Sequence, residues 1–215
     1  MTETLYPFLH PADPADLDEV LAEVRRSTED KAREIAALRR SLAAAHGERL
    51  TACARRMAEA FRAGGRLLAF GNGGSSTDAQ ALTALFVRPP APARPLPATC
   101  LPQDVAAVTA LSNDVGFEVV FARQIAALGR AGDIAVGLST SGGSANVVAA
   151  FAEAARRGLV TVGFAGYDGG ALSTAGTVEH LFVVPSSSVH RIQEAQMTLY
   201  HVLWELTQHA LDGGL

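Results

Sequence analysis

Apolar residues along this chain follow two patterns. From Asp16 to Ala45 they recur at three- and four-residue steps: Leu17, Val20, Leu21 and Val24, then Ile35, Leu38 and Leu42. That spacing marks one face of a helix. The polar stretch Arg25 to Lys31 separates the two stripes and predicts a break or a solvated face. A new helix is predicted around Gly47, through Leu50, Cys53, Ala54, Met57, Ala58 and Phe61, ending at Gly64-Gly65. The N-terminus therefore reads as a helical hairpin. Its stripe must be buried somewhere, and an oligomer contact would bury it. Residues 1–15 carry three prolines and the apolar Leu5, Tyr6, Phe8 and Leu9, and read as an irregular arm that needs a surface to lie on. His10, within it, reads as a surface residue.

From Arg66 the pattern changes to short continuous apolar runs, each followed by a helical stretch. The runs are 66–70, 98–101, 133–138, 160–165 and 180–185. Helices are predicted at 76–87, 104–111, 119–128, 145–157, 171–175 and 191–211, and Ser112 to Gly116 reads as a turn. Five prolines within residues 89–97 exclude helix and central strand there. Strands alternating with helices predict an α/β fold, a doubly wound, mostly parallel sheet flanked by helices. Such sheets bind ligands at the carboxyl ends of their strands.

Two of those ends carry chemistry. Phe70-Gly71-Asn72-Gly73-Gly74-Ser75-Ser76-Thr77-Asp78 is a strand, glycine-rich turn and helix start, which presents backbone N–H groups to an anion. Ser75, Ser76 and Thr77 add hydroxyls, and Asp78 is placed to favour the helix's first turn. Ser139-Thr140-Ser141-Gly142-Gly143-Ser144 repeats the arrangement with four hydroxyls and two glycines in six residues. Many neutral donors with no bulky side chain suit a phosphate monoester; a hydroxyl-rich helix cap is the plainer reading of the same residues. No P-loop lysine is present, and the G-x-G-x-x-G spacing after the first strand is missing. Nucleotide triphosphates and dinucleotides are therefore disfavoured.

The chain has 215 residues, 48 % of them hydrophobic and 19 % charged, enough for a sizeable core. A net charge of −4 with no basic block argues against nucleic acid as a ligand. Cys53 and Cys100 form no C-x-x-C pair and read as reduced thiols in a cytoplasmic protein. No signal peptide and no membrane span are expected from the hydropathy.

Taken in order, Gly71-Asn72-Gly73-Gly74-Ser75, Ser112-Asn113-Asp114, Leu138 to Val147, Gly166-Tyr167-Asp168-Gly169-Gly170 and Arg191-Ile192-Gln193-Glu194 with His201 resemble the sugar isomerase (SIS) domain. The resemblance is to its sedoheptulose-7-phosphate isomerase (phosphoheptose isomerase) branch and covers about residues 48–211. It implies an N-terminal arm and oligomerising helices over residues 1–47, one SIS unit over 48–215, and a homotetramer formed through the N-terminal helices. It implies a sugar phosphate held by Ser139, Thr140, Ser141 and Ser144. Asn72, Gly73, Gly74 and Ser75 would line the pocket, and Asn113, Asp114 and Gln193 would hold sugar hydroxyls. The implied reaction is aldose–ketose interconversion through an enediol.

The resemblance departs at one place. The family's active branch carries a His and a Glu, four residues apart, on the helix after the first turn; here those positions are Ala81 and Leu85. Gln193 and His201 match two of the family's metal ligands, and two such ligands make a poor zinc site, so no zinc is expected. Gln193, Met197 and His201 share a helix face, which leaves His201 as the candidate catalytic residue, with His190 and Glu194 nearby and Glu194 expected to pair with Arg191. Three readings stay open: an isomerase with a relocated base, a non-catalytic sugar-phosphate sensor or regulator, and an oligomeric adaptor. An intact phosphate loop favours the first two.

Overall fold

The structure is a computed structural model that describes residues 14–215, with side-chain surroundings from residue 17 onward. The expected arm, with Leu5, Tyr6, Phe8, Leu9 and His10, lies outside the described residues. Pro14 and Ala15 instead open the first helix, α1 (Pro14–Arg62). Two compact units are distinguished, one ending at Ser41 and one running Leu42–Leu215.

The predicted hairpin is not observed: α1 is one unbroken helix of 49 residues. The reason lies in what the stretch 25–31 contains. It loses apolar periodicity but holds neither Gly nor Pro, and its side chains support the helix locally. The Thr28 hydroxyl donates to Val24 O at 2.8 Å, and Arg33 pairs with Asp30 one turn away. Gly47 sits inside the helix with open space around it, which weakens a helix by about 1 kcal/mol without ending it. In the first unit, Leu17, Val20, Leu21 and Val24 stand 51–56 % exposed.

The second unit holds a five-stranded parallel sheet in the order β2-β1-β3-β4-β5. The strands are β1 (Leu67–Gly71), β2 (Ala98–Cys100), β3 (Ile134–Ser139), β4 (Val160–Gly166) and β5 (His180–Val184). The three central strands are buried along their whole length, as continuous apolar runs require. Between them run α2 (Gly74–Val87), α3 (Val105–Asp114), α4 (Val120–Leu128), α5 (Ala145–Arg156), α6 (Gly170–Thr174) and α7 (Val189–Leu211), with short 3-10 turns before α3 and α4. The α3 helix continues through Ser112, Asn113 and Asp114, where a turn was predicted; the Ser112 hydroxyl donates to Val108 O at 2.6 Å and lets the helix run on.

One apolar cluster joins Leu68 and Phe70 of β1 to Phe121 and Ile125 of α4 and to Val147, Phe151 and Ala154 of α5. Phe70 meets the Phe121 and Phe151 rings at 5.7 and 5.2 Å between centroids. Within the second unit, α1 side chains cover the free edge of β5. His46 Nε2 donates to Val183 O at 3.0 Å and Arg49 to Leu181 O at 2.8 Å, so that edge offers no open acceptors there to another strand. Cys53 and Cys100 are buried and free; burial pushes the Cys100 thiol up to about 11. Among the described residues no helix is long and apolar enough to cross a membrane.

Candidate active site at the β1/β3 switch point

In the order β2-β1-β3-β4-β5, the chain leaves β1 to one side and β3 to the other. The crevice outside the carboxyl ends of those two neighbouring strands is where such sheets bind ligands. Both predicted turns open there. Gly71 of β1 stands opposite Leu138 of β3, so Asn72 and Ser139 begin their turns side by side.

The second turn is shaped by backbone contacts. A Cβ on Gly142, whose φ is +64°, would lie 2.0 Å from Gly169 O, and Leu172 N–H donates to Gly142 O at 3.0 Å. The Gly166–Gly170 turn after β4 and the start of α6 therefore buttress the Ser/Gly turn after β3. On this support the Ser139 and Ser144 hydroxyls lie 3.1 Å apart, and Ser139 and Ser141 3.5 Å apart. Ser144 is the N-cap of α5, yet its side chain makes no capping bond. Its hydroxyl is thus not spent on the helix, contrary to the plain-cap reading.

At the first turn, α2 begins at Gly74, two residues earlier than predicted, with Gly73 as N-cap at φ +54° and no side-chain cap bond. Asp78 consequently falls beyond the first turn and is 7 % exposed, so it does not serve the helix dipole. It accepts instead from Gln193 Nε2 of α7 at 3.2 Å. Burial raises its carboxyl above the ordinary carboxylate range, more than Gln193 and Tyr200 lower it. Tyr200 Oη is buried without a well-formed hydrogen bond among the described residues, and burial and the Asp78 charge push its phenol up. The Asn72 amide forms a reciprocal pair with Asn146 of α5, at 2.8 and 2.9 Å.

Gln193 and His201 lie on one face of α7, with Met197 between them 45 % exposed. His201 Nδ1 lies 2.9 Å from Met197 O and its ring stacks on Tyr200 at 5.0 Å. A carbonyl oxygen only accepts, so Nδ1 carries the proton and the neutral ring keeps its lone pair on Nε2. His190, in the first turn of α7, is exposed, and Glu194 pairs with Arg191 at 2.7 Å as expected. Asn113 and Asp114 are exposed at the end of α3, after the edge strand, and bond to each other at 2.8 Å. No described contact links them to the other site residues.

Residues 32–166 match the model of the SIS domain. The chain belongs to the SIS-domain family. Within it, the chain falls in the phosphoheptose isomerase branch. It is 48 % identical over 166 residues to the phosphoheptose isomerase of Roseiflexus sp. (strain RS-1), covering 75 % of this chain and 82 % of that protein. The Aquifex aeolicus phosphoheptose isomerase is 41 % identical over 177 residues, covering 82 % and 92 %. Among solved structures, the phosphoheptose isomerase of Neisseria gonorrhoeae superposes with a TM-score of 0.78 at 35 % identity, covering 85 % of this chain and 97 % of that one.

The α2 helix carries Ala81 and Leu85, neither of which can ligate a metal. Among the described residues, no group of three or more His, Cys, Asp or Glu is placed to hold a metal ion.

Asn146 and the Asp78–Gln193 bond were not expected from the sequence as site features. Each joins residues more than seventy positions apart, and only the sheet order brings them together.

Proposed function

We propose that this SIS protein binds a heptose 7-phosphate in the β1/β3 crevice and interconverts its ketose and aldose forms. The sugar-phosphate isomerase-like assignment agrees with its relatives. The seven-carbon chain and the turnover are the proposal. One observation carries it: the hydroxyls of Ser139, Ser141 and Ser144 converge at the N-terminus of α5, and the Ser144 hydroxyl makes no capping bond there. That arrangement supports phosphate recognition by neutral donors and the helix dipole.

In this reading Ser139, Thr140, Ser141 and Ser144 donate to the phosphate oxygens. Asn72, Gly73, Gly74 and Ser75 border the sugar, and Gln193, Asn113 and Asp114 hold its hydroxyls. Conversion of sedoheptulose 7-phosphate to the aldose removes a proton from C1 and returns one to C2, while a hydroxyl proton passes from O1 to O2 through the enediol. His201, with Nε2 unprotonated, is the base this chain supplies. No zinc takes part, because Ala81 and Leu85 leave the donor set short. Chelator treatment is expected to leave both binding and thermal stability unchanged.

The α2 face favours a second reading, a sugar-phosphate sensor without turnover, since Ala81 and Leu85 carry no proton. The two are separated by following sedoheptulose 7-phosphate by proton NMR in heavy water with metal-analysed protein. Exchange at C1 that vanishes in His201→Ala supports the isomerase. Ligand-induced stabilisation without exchange supports the sensor. The exposed Leu17, Val20, Leu21 and Val24 support an oligomer contact through the N-terminal helices, proposed as a homotetramer; Leu21→Glu is expected to lower the mass measured by light scattering.

A further inference from the structure

Asn146 stands at the second position of α5, 3 % exposed, and its amide exchanges two hydrogen bonds with that of Asn72. The bonds cross from the α5 end of the phosphate turn to the first residue of the sugar-facing turn. A side-chain amide has two N–H groups and two oxygen lone pairs to satisfy. The reciprocal pair uses one of each on Asn72, sets the plane of the group, and leaves one N–H and one lone pair. Without Asn146 the half-buried Asn72 amide would be free to rotate about its last torsion.

The phosphate turn does not depend on this pair. It is held by the close approach of Gly142 to Gly169, by Leu172 N–H on Gly142 O, and by its own hydroxyls. Removal of the Asn146 side chain leaves the backbone N–H groups of α5 where they are. The amide pair is thus a separate connection between two subsites, one for the phosphate and one for the sugar.

We propose that Asn146 is a positioning residue that holds Asn72 in the plane the sugar requires and couples the sugar turn to the phosphate turn. This rests on the reading that residues 139–144 take the phosphate and Asn72 the sugar. Asn146 touches no ligand in this account and acts only through Asn72.

The test is calorimetric titration with inorganic phosphate and with sedoheptulose 7-phosphate, on the full chain and on Asn146→Ala, Asn72→Ala and the double variant. Expected is an unchanged phosphate affinity in Asn146→Ala and a fall of about tenfold for the sugar phosphate, the worth of one neutral hydrogen bond. The double variant is expected to bind no more weakly than Asn72→Ala alone, a non-additivity that a general loosening of the fold would not produce. Should Asn146→Ala fail to fold, Asn146→Ser stays neutral and polar but is too short to reach the Asn72 amide, and the same selective loss is expected. Equal losses for both ligands, or full additivity in the double variant, would overturn the proposal while leaving the binding reading intact. If the unaltered protein binds the sugar phosphate no better than phosphate, the binding reading and this proposal fall together.

Discussion

Gln193 Nε2 donates to Asp78 Oδ2 at 3.2 Å, in the space that a side chain on Gly74 would fill. A Cβ there would lie 2.3 Å from Gln193 Nε2 and 3.0 Å from its Oε1. In its ionised form the carboxylate accepts only, so it then fixes which end of the Gln193 amide faces it and leaves Oε1 available as an acceptor for a sugar hydroxyl.

Gly74→Ala is therefore expected to displace a flexible side-chain end rather than the backbone. Sedoheptulose 7-phosphate affinity should fall about tenfold, the scale of one lost hydrogen bond, while the melting temperature stays close to that of the unaltered protein. Calorimetry and thermal unfolding on the same sample check both halves.

Asp78 makes stability depend on pH in a stated direction. Its carboxyl is raised in the folded chain, so folding favours the protonated form. That contribution is fully present below the unfolded value of about 4 and is lost as pH rises through the folded value. Asp78→Asn removes the titration. The melting temperature of the variant, relative to the unaltered protein, is expected to be higher at pH 7 than at pH 4. Thermal unfolding across that range checks it, and a difference that does not vary with pH would count against the burial argument.

Two helix caps separate binding from stability. Asp104 caps α3 by accepting from Ala107 N–H at 2.9 Å, and Asp104→Ala should cost about 1 kcal/mol. Ser144 caps α5 without a side-chain bond, so Ser144→Ala should cost little stability. It should weaken phosphate binding about tenfold or more, since it removes a donor to a charged oxygen. Denaturant titration and calorimetry on the two variants measure the contrast.

The strands were legible because β1, β3 and β4 are short apolar runs bounded by turns, a signal that survives without tertiary information. The Ser139–Ser144 stretch was legible as a turn because its glycines follow an apolar run, while its hydroxyls suit both a phosphate and a helix cap. Of the two outcomes that the polar stretch 25–31 allows, the solvated face is the one observed; the hairpin fails because an apolar stripe can stop while the helix continues, here through residues 25–31 and Gly47 alike. The α3 terminus was misjudged because Ser112, Asn113 and Asp114 favour turns by composition, while the Ser112 hydroxyl bonds back within the helix. The local position of Asp78 points to the first turn of α2, whereas its carboxylate accepts from Gln193 of α7. Its partner at position 193, like the partner of Asn72 at 146, is set by strand order, which local patterns do not encode.

The most direct test of sugar-phosphate binding at the switch point is a thermal-shift titration of the full chain with sedoheptulose 7-phosphate, unphosphorylated sedoheptulose and inorganic phosphate. The sugar phosphate is expected to raise the melting temperature at a lower concentration than phosphate, with no effect from the free sugar, and Ser139→Ala should blunt the response. Stabilisation by the free sugar equal to that by the sugar phosphate, or no stabilisation by any of the three, would contradict the account.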